Sequence, residues 1–247
     1  MSNDELKSAA PLILAIETAT RAGGVAVARG DKVLASLAGD AAVSHSTNLI
    51  EMIREALQSA NANLQDVEVF AVACGPGSFT GLRIGLATVK AFAAHLNKRV
   101  VGVSTLAAVA HGCGVKGEIV SLLPAGRGEA FTQRFSVDDD DLTAVDSAQH
   151  LAPAELLERY SGKATTFAGD GVEMIERLLP DGNIPRAWNL IREVPPLAPS
   201  IALLGLRGFR GGKLVAPEDL QAVYVRASDA EINERWLQQK LQPQAPS

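Results

Sequence analysis

The most constraining feature of this sequence is an apolar run that leads through a glycine-rich loop into a second apolar segment. Residues 67–73 are almost entirely apolar, which is typical of a central strand covered on both faces of its sheet. The loop at residues 75–81 follows, and residues 82–96 have the length and apolar content of a long helix. Together they predict a strand, a loop and a helix within an α/β fold.

The segments before this unit predict more strands and another helix. Residues 12–16, 24–28 and 33–37 have the composition of short strands, and the polar turns between them indicate an antiparallel meander. A helix is expected to start near Ser44, a good N-cap residue, because apolar residues follow it at helical spacing.

A similar order of elements is found twice along the chain. Residues 100–103 and 104–111 predict a further strand and helix, and a shorter version of the whole series restarts at Glu118. This repetition indicates the two-lobed actin/Hsp70/sugar-kinase (ASKHA) architecture, an α/β fold with a mixed sheet and helices in each lobe. The second lobe is expected to be contracted, and the architecture normally holds a nucleotide between its lobes.

The predicted boundaries follow from that repetition. Residues 1–112 form the first lobe, which a C-terminal helix near residues 200–211 is expected to complete. Residues 113–226 form the second lobe, and residues 227–247 are expected to be a C-terminal helix and a disordered tail.

Charge and composition exclude several classes of protein. The formal net charge is −5 and the basic residues are scattered, whereas a stand-alone nucleic-acid-binding protein usually shows a basic stripe. Cys74 and Cys113 lie in no zinc-binding pattern, and two isolated thiols fit the reducing cytoplasm. The first ten residues lack the apolar core of a secretion signal. The sequence has no stretch of apolar residues long enough to span a membrane, so no membrane contact is expected.

The glycine-rich loop differs from the two common phosphate-binding loops. A Walker loop needs Gly-Lys-Ser/Thr at the start of its helix, but Gly81 is followed by Leu82 and Arg83. The dinucleotide-binding fingerprint needs a glycine three residues after Gly77, where this chain has Thr80. The remaining interpretation is a tight turn with close packing of helix against strand.

Small residues continue along one side of the following helix. Gly81 and Gly85 lie one turn apart, and Thr88 and Ala91 extend the same side. A glycine inside a helix costs about 1 kcal/mol relative to alanine, so the space it leaves requires an explanation. Either a second subunit or an internal strand or helix could enter that space, and the alternative favoured here is a second subunit.

Four sequence strings together resemble the TsaB (YeaZ-like) family. They are LAIETATRAGGVAV, SHSTNLIEMI, ACGPGSFTGLRIG and VVGVSTLAAVAHG, and they cover much of residues 12–112. The resemblance thins in the second lobe and returns at residues 222–226.

The resemblance implies a cytoplasmic, non-catalytic protein that acts through partners. Members of this family pair with TsaD, a larger paralogue that transfers threonylcarbamoyl to adenosine 37 of tRNA, and the ATPase TsaE joins them. The resemblance further implies that this chain alone binds no cofactor, and that ATP or ADP and a metal ion belong to the partner subunits. Contact with tRNA is expected only through the complex, and a homodimer is expected to be possible when TsaD is absent.

The same resemblance assigns the partner interface to helices at about residues 45–58 and 81–96. We expect His45, Leu49 and Met52 to face the partner and the second of these helices, while Ile50, Ile53 and Leu57 face the core. The complete set of expected interface residues is His45, Leu49, Met52, Phe79, Gly81, Ile84, Gly85 and Thr88.

Departures from the family pattern bear on nucleotide binding. Glu17 stands where the family commonly has aspartate, and Ala19 stands where a glycine usually admits phosphate. Glu17, Thr18, Gly75 and Gly77 are only weak candidates for a cofactor contact, and a structural capping or interface role is favoured for Glu17. The family hairpin Asp-Ala-Arg-Met-Gly-Glu-Val-Tyr is PAGRGEAF here, and Ala222 replaces a proline near the C-terminus.

Two enzyme classes are the alternatives to a non-catalytic subunit. An ATP-using enzyme of the sugar-kinase fold would need a first turn that admits phosphate, and here Ala19 replaces the glycine that usually allows this. A glycoprotease-like metallopeptidase would need paired ligands, such as two histidines four residues apart on a helix. His45 has Leu49 at that distance, and the other three histidines are isolated along the chain.

Overall fold

The first lobe is built around a five-stranded sheet. The computed structural model describes residues 10–40, 42, 45–138, 141–179 and 184–225. The strand order is β3-β2-β1-β4-β5, in which β1 and β4 run parallel and β1 to β3 form the predicted antiparallel meander. The strands are β1 (Leu12–Glu17), β2 (Gly24–Arg29), β3 (Lys32–Ala38), β4 (Val69–Gly75) and β5 (Arg99–Ser104).

Helices cover both faces of this sheet. The helices are α1 (His45–Ser59), α2 (Phe79–His95), α3 (Thr105–Gly112) and, after the second lobe, α6 (Ala198–Arg210). Gly85 of α2 faces Ile16, whereas Gly205 of α6 faces Ala71, whose strand neighbour is Ala15. Since successive strand residues point to opposite faces, α2 and α6 lie on opposite sides of the sheet. This double cover explains why every residue of β1 and β4 is buried.

The second lobe contains a six-stranded sheet that combines two long strands with four strands of three or four residues. The strand order is β11-β10-β6-β7-β8, and β9 pairs with β7. The strands are β6 (Gly117–Gly126), β7 (Glu129–Val137), β8 (Leu142–Ala144), β9 (Gln149–Leu151), β10 (Thr165–Ala168) and β11 (Trp188–Ile191). The helices are α4 (Pro153–Tyr160) and α5 (Val172–Leu178). The sequence did not predict β8, β9 or β11, because segments of three or four residues carry too little periodicity.

Helix α3 joins the two lobes into one hydrophobic core. It contacts β4 and β5 of the first sheet and β6, β7 and β8 of the second. The main core cluster accordingly runs from first-lobe residues such as Leu106 to Ile119, Leu123 and Phe135 of the second lobe. The predicted tail at residues 227–247 lies outside the described residues. None of the helices in the described ranges combines the length and apolar content needed to cross a membrane.

Candidate functional site

The turn after β1 is organised by the carboxylate of Glu17. This side chain is 1% exposed, and its Oε1 accepts hydrogen bonds from the backbone amides of Ala19 at 2.5 Å and Thr20 at 2.8 Å. Its Oε2 accepts a third bond from the Thr20 hydroxyl at 2.6 Å. Both carboxylate oxygens therefore accept hydrogen bonds from the chain's own turn, in keeping with the structural capping role that the sequence favoured.

The glycine-rich loop packs directly on the backbone of this turn. The Ser78 amide donates to the Ala19 carbonyl at 2.7 Å, and the Thr18 hydroxyl donates to the Gly81 carbonyl at 2.7 Å. A methyl group at position 77 would lie 2.5 Å from the Ala19 carbonyl oxygen, which is closer than atoms can approach. The loop thus needs glycine because another part of the chain occupies the adjacent space.

The other side of the loop is held by a segment from the C-terminal region. The Val223 amide donates to the Cys74 carbonyl at 2.7 Å. Gly75 has a φ of +114°, and a methyl group there would lie 2.6 Å from the Val223 carbonyl oxygen. Gly75 and Gly77 therefore accommodate two backbone segments from this chain, and neither points to an open space of phosphate size.

A small cleft separates the lobes next to Glu17. It has a volume of about 160 Å³ and is lined from the first lobe by Glu17, Thr20 and Gly23. The second lobe contributes Leu123 and Asp170, and residues 194–197 close one side. Sites for drug-sized ligands usually have volumes of about 300–1,000 Å³, so this cleft is smaller than that range.

The histidines of the described region do not converge. His150 Nε2 lies 2.9 Å from Glu129 Oε2, beside the ring of Phe131, and His111 Nδ1 lies 3.1 Å from the Ser200 hydroxyl. Within residues 10–225, gaps excepted, no three metal-ligating side chains form a cluster. Glu129, which matches the glutamate of the family hairpin, is thus paired with a histidine of its own lobe.

Helix α1 is rotated relative to the predicted interface. Leu49 is 4% exposed and belongs to the core, whereas Ile50 is 60% exposed, so both predictions are wrong. The predictions for Ile53 and Leu57 are confirmed, since both are buried. Residues at positions 49, 53, 56 and 57 form one apolar stripe against β2 and β3, and Leu49 belongs to that stripe. Met52 is half-buried, and the His45 side chain lies outside the described part.

The small-residue side of α2 also belongs to the core. Gly81 and Gly85 are buried, and a methyl group at either position would overlap Thr18, at its carbonyl oxygen or its hydroxyl. The prediction that a second subunit enters this space is therefore wrong. The turn that follows β1 in this same chain occupies the space beside Gly81 and Gly85, which is the competing explanation.

The outer side of α2 remains available for contact. Phe79, Ile84 and Thr88 are half-buried, and Arg83 is exposed between them. Helices α1 and α2 contact each other, and Ile50 of α1 is exposed. The sequence did not identify Ile50 as a surface residue, and it did not place Tyr224 next to Phe79, because both depend on tertiary packing.

Two mixed sheets with helices, joined by a shared core, define an ASKHA-like fold. The structure is similar to YeaZ from Pseudomonas aeruginosa, with a TM-score of 0.75 and 25% identity, covering 87% of this chain and 99% of that one. A second structure from the same organism, described as an uncharacterized protein with similarity to peptidase YEAZ, has a TM-score of 0.74 and 26% identity over 87% of this chain and 100% of that one.

Sequence comparison narrows the class further. The chain is 30% identical to the tRNA threonylcarbamoyladenosine biosynthesis protein TsaB of Bacillus subtilis over 172 residues, which are 68% of this chain and 75% of the relative. It is 27% identical to TsaB of Escherichia coli over 221 residues, 87% of this chain and 94% of the relative. A family model described as TsaD, tRNA N6-adenosine threonylcarbamoyltransferase, matches residues 38–193. The chain therefore belongs to the TsaB/YeaZ family, whose members are related to the TsaD family that this model describes.

Proposed function

We propose that this protein is a non-catalytic subunit required for threonylcarbamoylation of adenosine 37 in tRNA (t6A). It acts in the cytoplasm by binding and activating the TsaD transferase subunit, together with the TsaE ATPase. The support for the pathway is that two similar proteins from distant bacteria carry the name of threonylcarbamoyladenosine biosynthesis.

The observation that carries the non-catalytic part is the closed state of the nucleotide region. The Glu17 carboxylate accepts three hydrogen bonds from its own turn, and the Gly77 position abuts Ala19. A kinase-like enzyme of this fold needs these groups to face a metal-nucleotide complex. With them engaged internally and a cleft of about 160 Å³, the chemistry, the nucleotide and the metal are assigned to the partner subunits.

The partner surface is assigned to the outer face of α1 and to the side of α2 that carries Ile84 and Thr88. Ile50, Ile84 and Thr88 offer apolar atoms there, and the sheet beneath holds both helices rigidly. Exposed apolar side chains on adjoining helices are typical of protein contact surfaces. TsaD is the partner in the complex, and a second copy of this chain would use the same surface when TsaD is absent.

The test compares two exposed hydrophobic residues in the two lobes. Ile50 is 60% exposed on α1, and Val145 is 41% exposed in the second lobe. Ile50→Arg should prevent coelution with the TsaD of the same organism and abolish t6A formation in a reaction with TsaE, tRNA and threonylcarbamoyl-adenylate. Val145→Arg, the matched control, should behave like the parent.

Circular dichroism melts of both variants separate loss of binding from loss of folding. Normal TsaD binding by a folded Ile50→Arg variant would contradict the interface assignment. ATP turnover by the isolated chain that survives repurification would contradict the non-catalytic assignment and favour the sugar-kinase alternative.

A further inference from the structure

An exposed aromatic patch adjoins the glycine-rich loop. Among the described residues, four large hydrophobic side chains are exposed, and two of them are neighbours: Val223 at 47% and Tyr224 at 49%. The whole chain has only two tyrosines. Leaving one of them half in solvent, on a segment whose backbone is fixed, indicates a use for the ring.

The patch is rigidly mounted. The Val223 amide donates to Cys74, and the Val223 carbonyl fills the space beside Gly75, so the backbone before Tyr224 cannot shift freely. Just upstream, Leu220 is buried at 4% exposure, and the Glu218 carbonyl accepts a hydrogen bond from Lys90 Nζ at 3.3 Å. These contacts hold the Tyr224 backbone against the start of α2.

Three side chains form the patch. The rings of Tyr224 and Phe79 have centroids 5.2 Å apart at an angle of 38°. The Arg83 guanidinium carbon lies 3.9 Å from the centroid of Phe79, in a cation-π contact. Arg83 is exposed, and it forms no ion pair with a carboxylate of the described residues. The patch therefore offers a flat ring and a free cation side by side.

We propose that Phe79, Arg83 and Tyr224 form a stacking site for an unpaired base of single-stranded RNA. The base would stack on Tyr224, and Arg83 would contact the adjacent phosphate. Each nucleotide supplies both groups, and proteins that bind single strands combine aromatic stacking with cationic contacts in this way. The proposal rests on the proposed function, because the anticodon loop that contains adenosine 37 is such a single strand.

The net charge of −5 is consistent with a contact limited to one base. Because nonspecific affinity comes mainly from phosphate contacts, an acidic chain with one free arginine here would bind RNA weakly alone. The stacking site would therefore adjust the position of a loop that another subunit holds, and its effect is best measured within the complex.

The experiment measures RNA affinity of the complex with TsaD by fluorescence anisotropy. The probe is a labelled RNA stem closed by an unpaired loop, with a fully paired duplex of equal length as the comparison. Tyr224→Ala should weaken binding of the loop RNA about tenfold, because a stacked base contributes about 1–3 kcal/mol. Tyr224→Phe should retain the affinity, and Val145→Ala is the matched exposed control.

A second variant tests the phosphate contact by a different readout. Arg83→Gln should reduce the slope of log affinity against log salt by about 0.7, the value for one phosphate on a single strand. Binding of the paired duplex should change in neither variant, because a paired base cannot stack on Tyr224.

The outcomes separate the site from the proposed function. Unchanged loop-RNA affinity in both Tyr224→Ala and Arg83→Gln overturns the stacking site, and loss of TsaD coelution in those variants would identify the patch as a protein contact instead. Formation of t6A by the parent chain is scored in the same preparations. If the parent supports no modification, the proposed function fails. If it does and the affinities are unchanged, only the stacking site fails.

Discussion

The two lobes repeat one order of elements but build their cores from different side chains. In the first lobe the central strands β1 and β4 are wholly buried, and Phe70 is the single aromatic residue in them. In the second lobe the outer core is an aromatic cluster, in which Phe167 packs edge-on against Tyr160 at 5.3 Å and Trp188 at 5.0 Å between centroids. Strands buried along their whole length give the first lobe a strong sequence signal, whereas the strands of three or four residues in the second lobe give a weak one.

The comparison also separates the tasks of the lobes. The first lobe contains the Glu17 turn, the glycine-rich loop and the outer faces of α1 and α2. The second lobe closes the cleft with Leu123 and Asp170 and shares its core through α3. The lobes therefore differ in surface role but are expected to unfold together.

The largest expected effect tests whether the two lobes unfold together. Phe70→Ala in the first lobe and Phe167→Ala in the second each remove a fully buried ring, and each should lower the free energy of unfolding by about 4 kcal/mol. Urea denaturation is followed by far-ultraviolet circular dichroism and by Trp188 fluorescence in a Trp236→Phe background. The two signals should change together in both variants. A Trp188 transition that precedes the circular dichroism transition in Phe167→Ala would show that the lobes unfold separately.

The next effect tests whether the α2 glycines belong to the first-lobe core. Gly85→Leu should destabilise the isolated chain by about 3 kcal/mol, because the new side chain must displace Thr18 from its space. Ala87→Leu, at an exposed position of the same helix, is the control and should change stability little. Thermal and urea melts at protein concentrations where the parent is monomeric measure both. A Gly85→Leu chain that is as stable as the parent but no longer associates would show instead that a second subunit occupies the space beside Gly85.

A smaller effect tests the capping role of Glu17. Glu17→Gln should cost about 2 kcal/mol, because a neutral amide oxygen accepts weaker hydrogen bonds from the Ala19 and Thr20 backbone amides than the carboxylate does. Glu173→Gln in the second lobe removes an exposed ion pair with Arg177 and should cost almost nothing. Equal stability losses in the two variants, measured by urea denaturation, would argue against a buried cap at Glu17.

The smallest effect concerns the junction between α3 and α6. Burial, and then the nearby Arg207 charge, lower the pKa of His111 below its ordinary value of 6.5. As pH falls through about 6.5, His111 of the unfolded chain binds a proton that the folded chain does not yet bind. The free energy of unfolding should therefore decrease until the pH passes the lowered pKa of the folded chain. Melts across this window should show a shallower pH dependence for His111→Gln than for the parent. An identical pH dependence would assign the acid sensitivity to other groups.

The sequence by itself determined the architecture and the position of the loop. Apolar runs at β1 and β4 exceed what a half-exposed strand carries, and the turn residues between β1, β2 and β3 limit how those strands connect. The missing lysine after Gly81 likewise excludes a Walker phosphate loop from the sequence alone. These features are local, so a single sequence contains the information that decides them.

Tertiary structure alone decided which neighbour each of those local features meets. Leu49 and Ile50 are adjacent and equally apolar, and only the packing of α1 on β2 and β3 buries the first and exposes the second. Gly85 faces Thr18, and Gly75 faces Val223, across separations along the chain that no periodicity spans. A glycine in a sequence shows that space is needed, but the identity of the group that fills the space depends on long-range contacts, which exist only after the chain has folded.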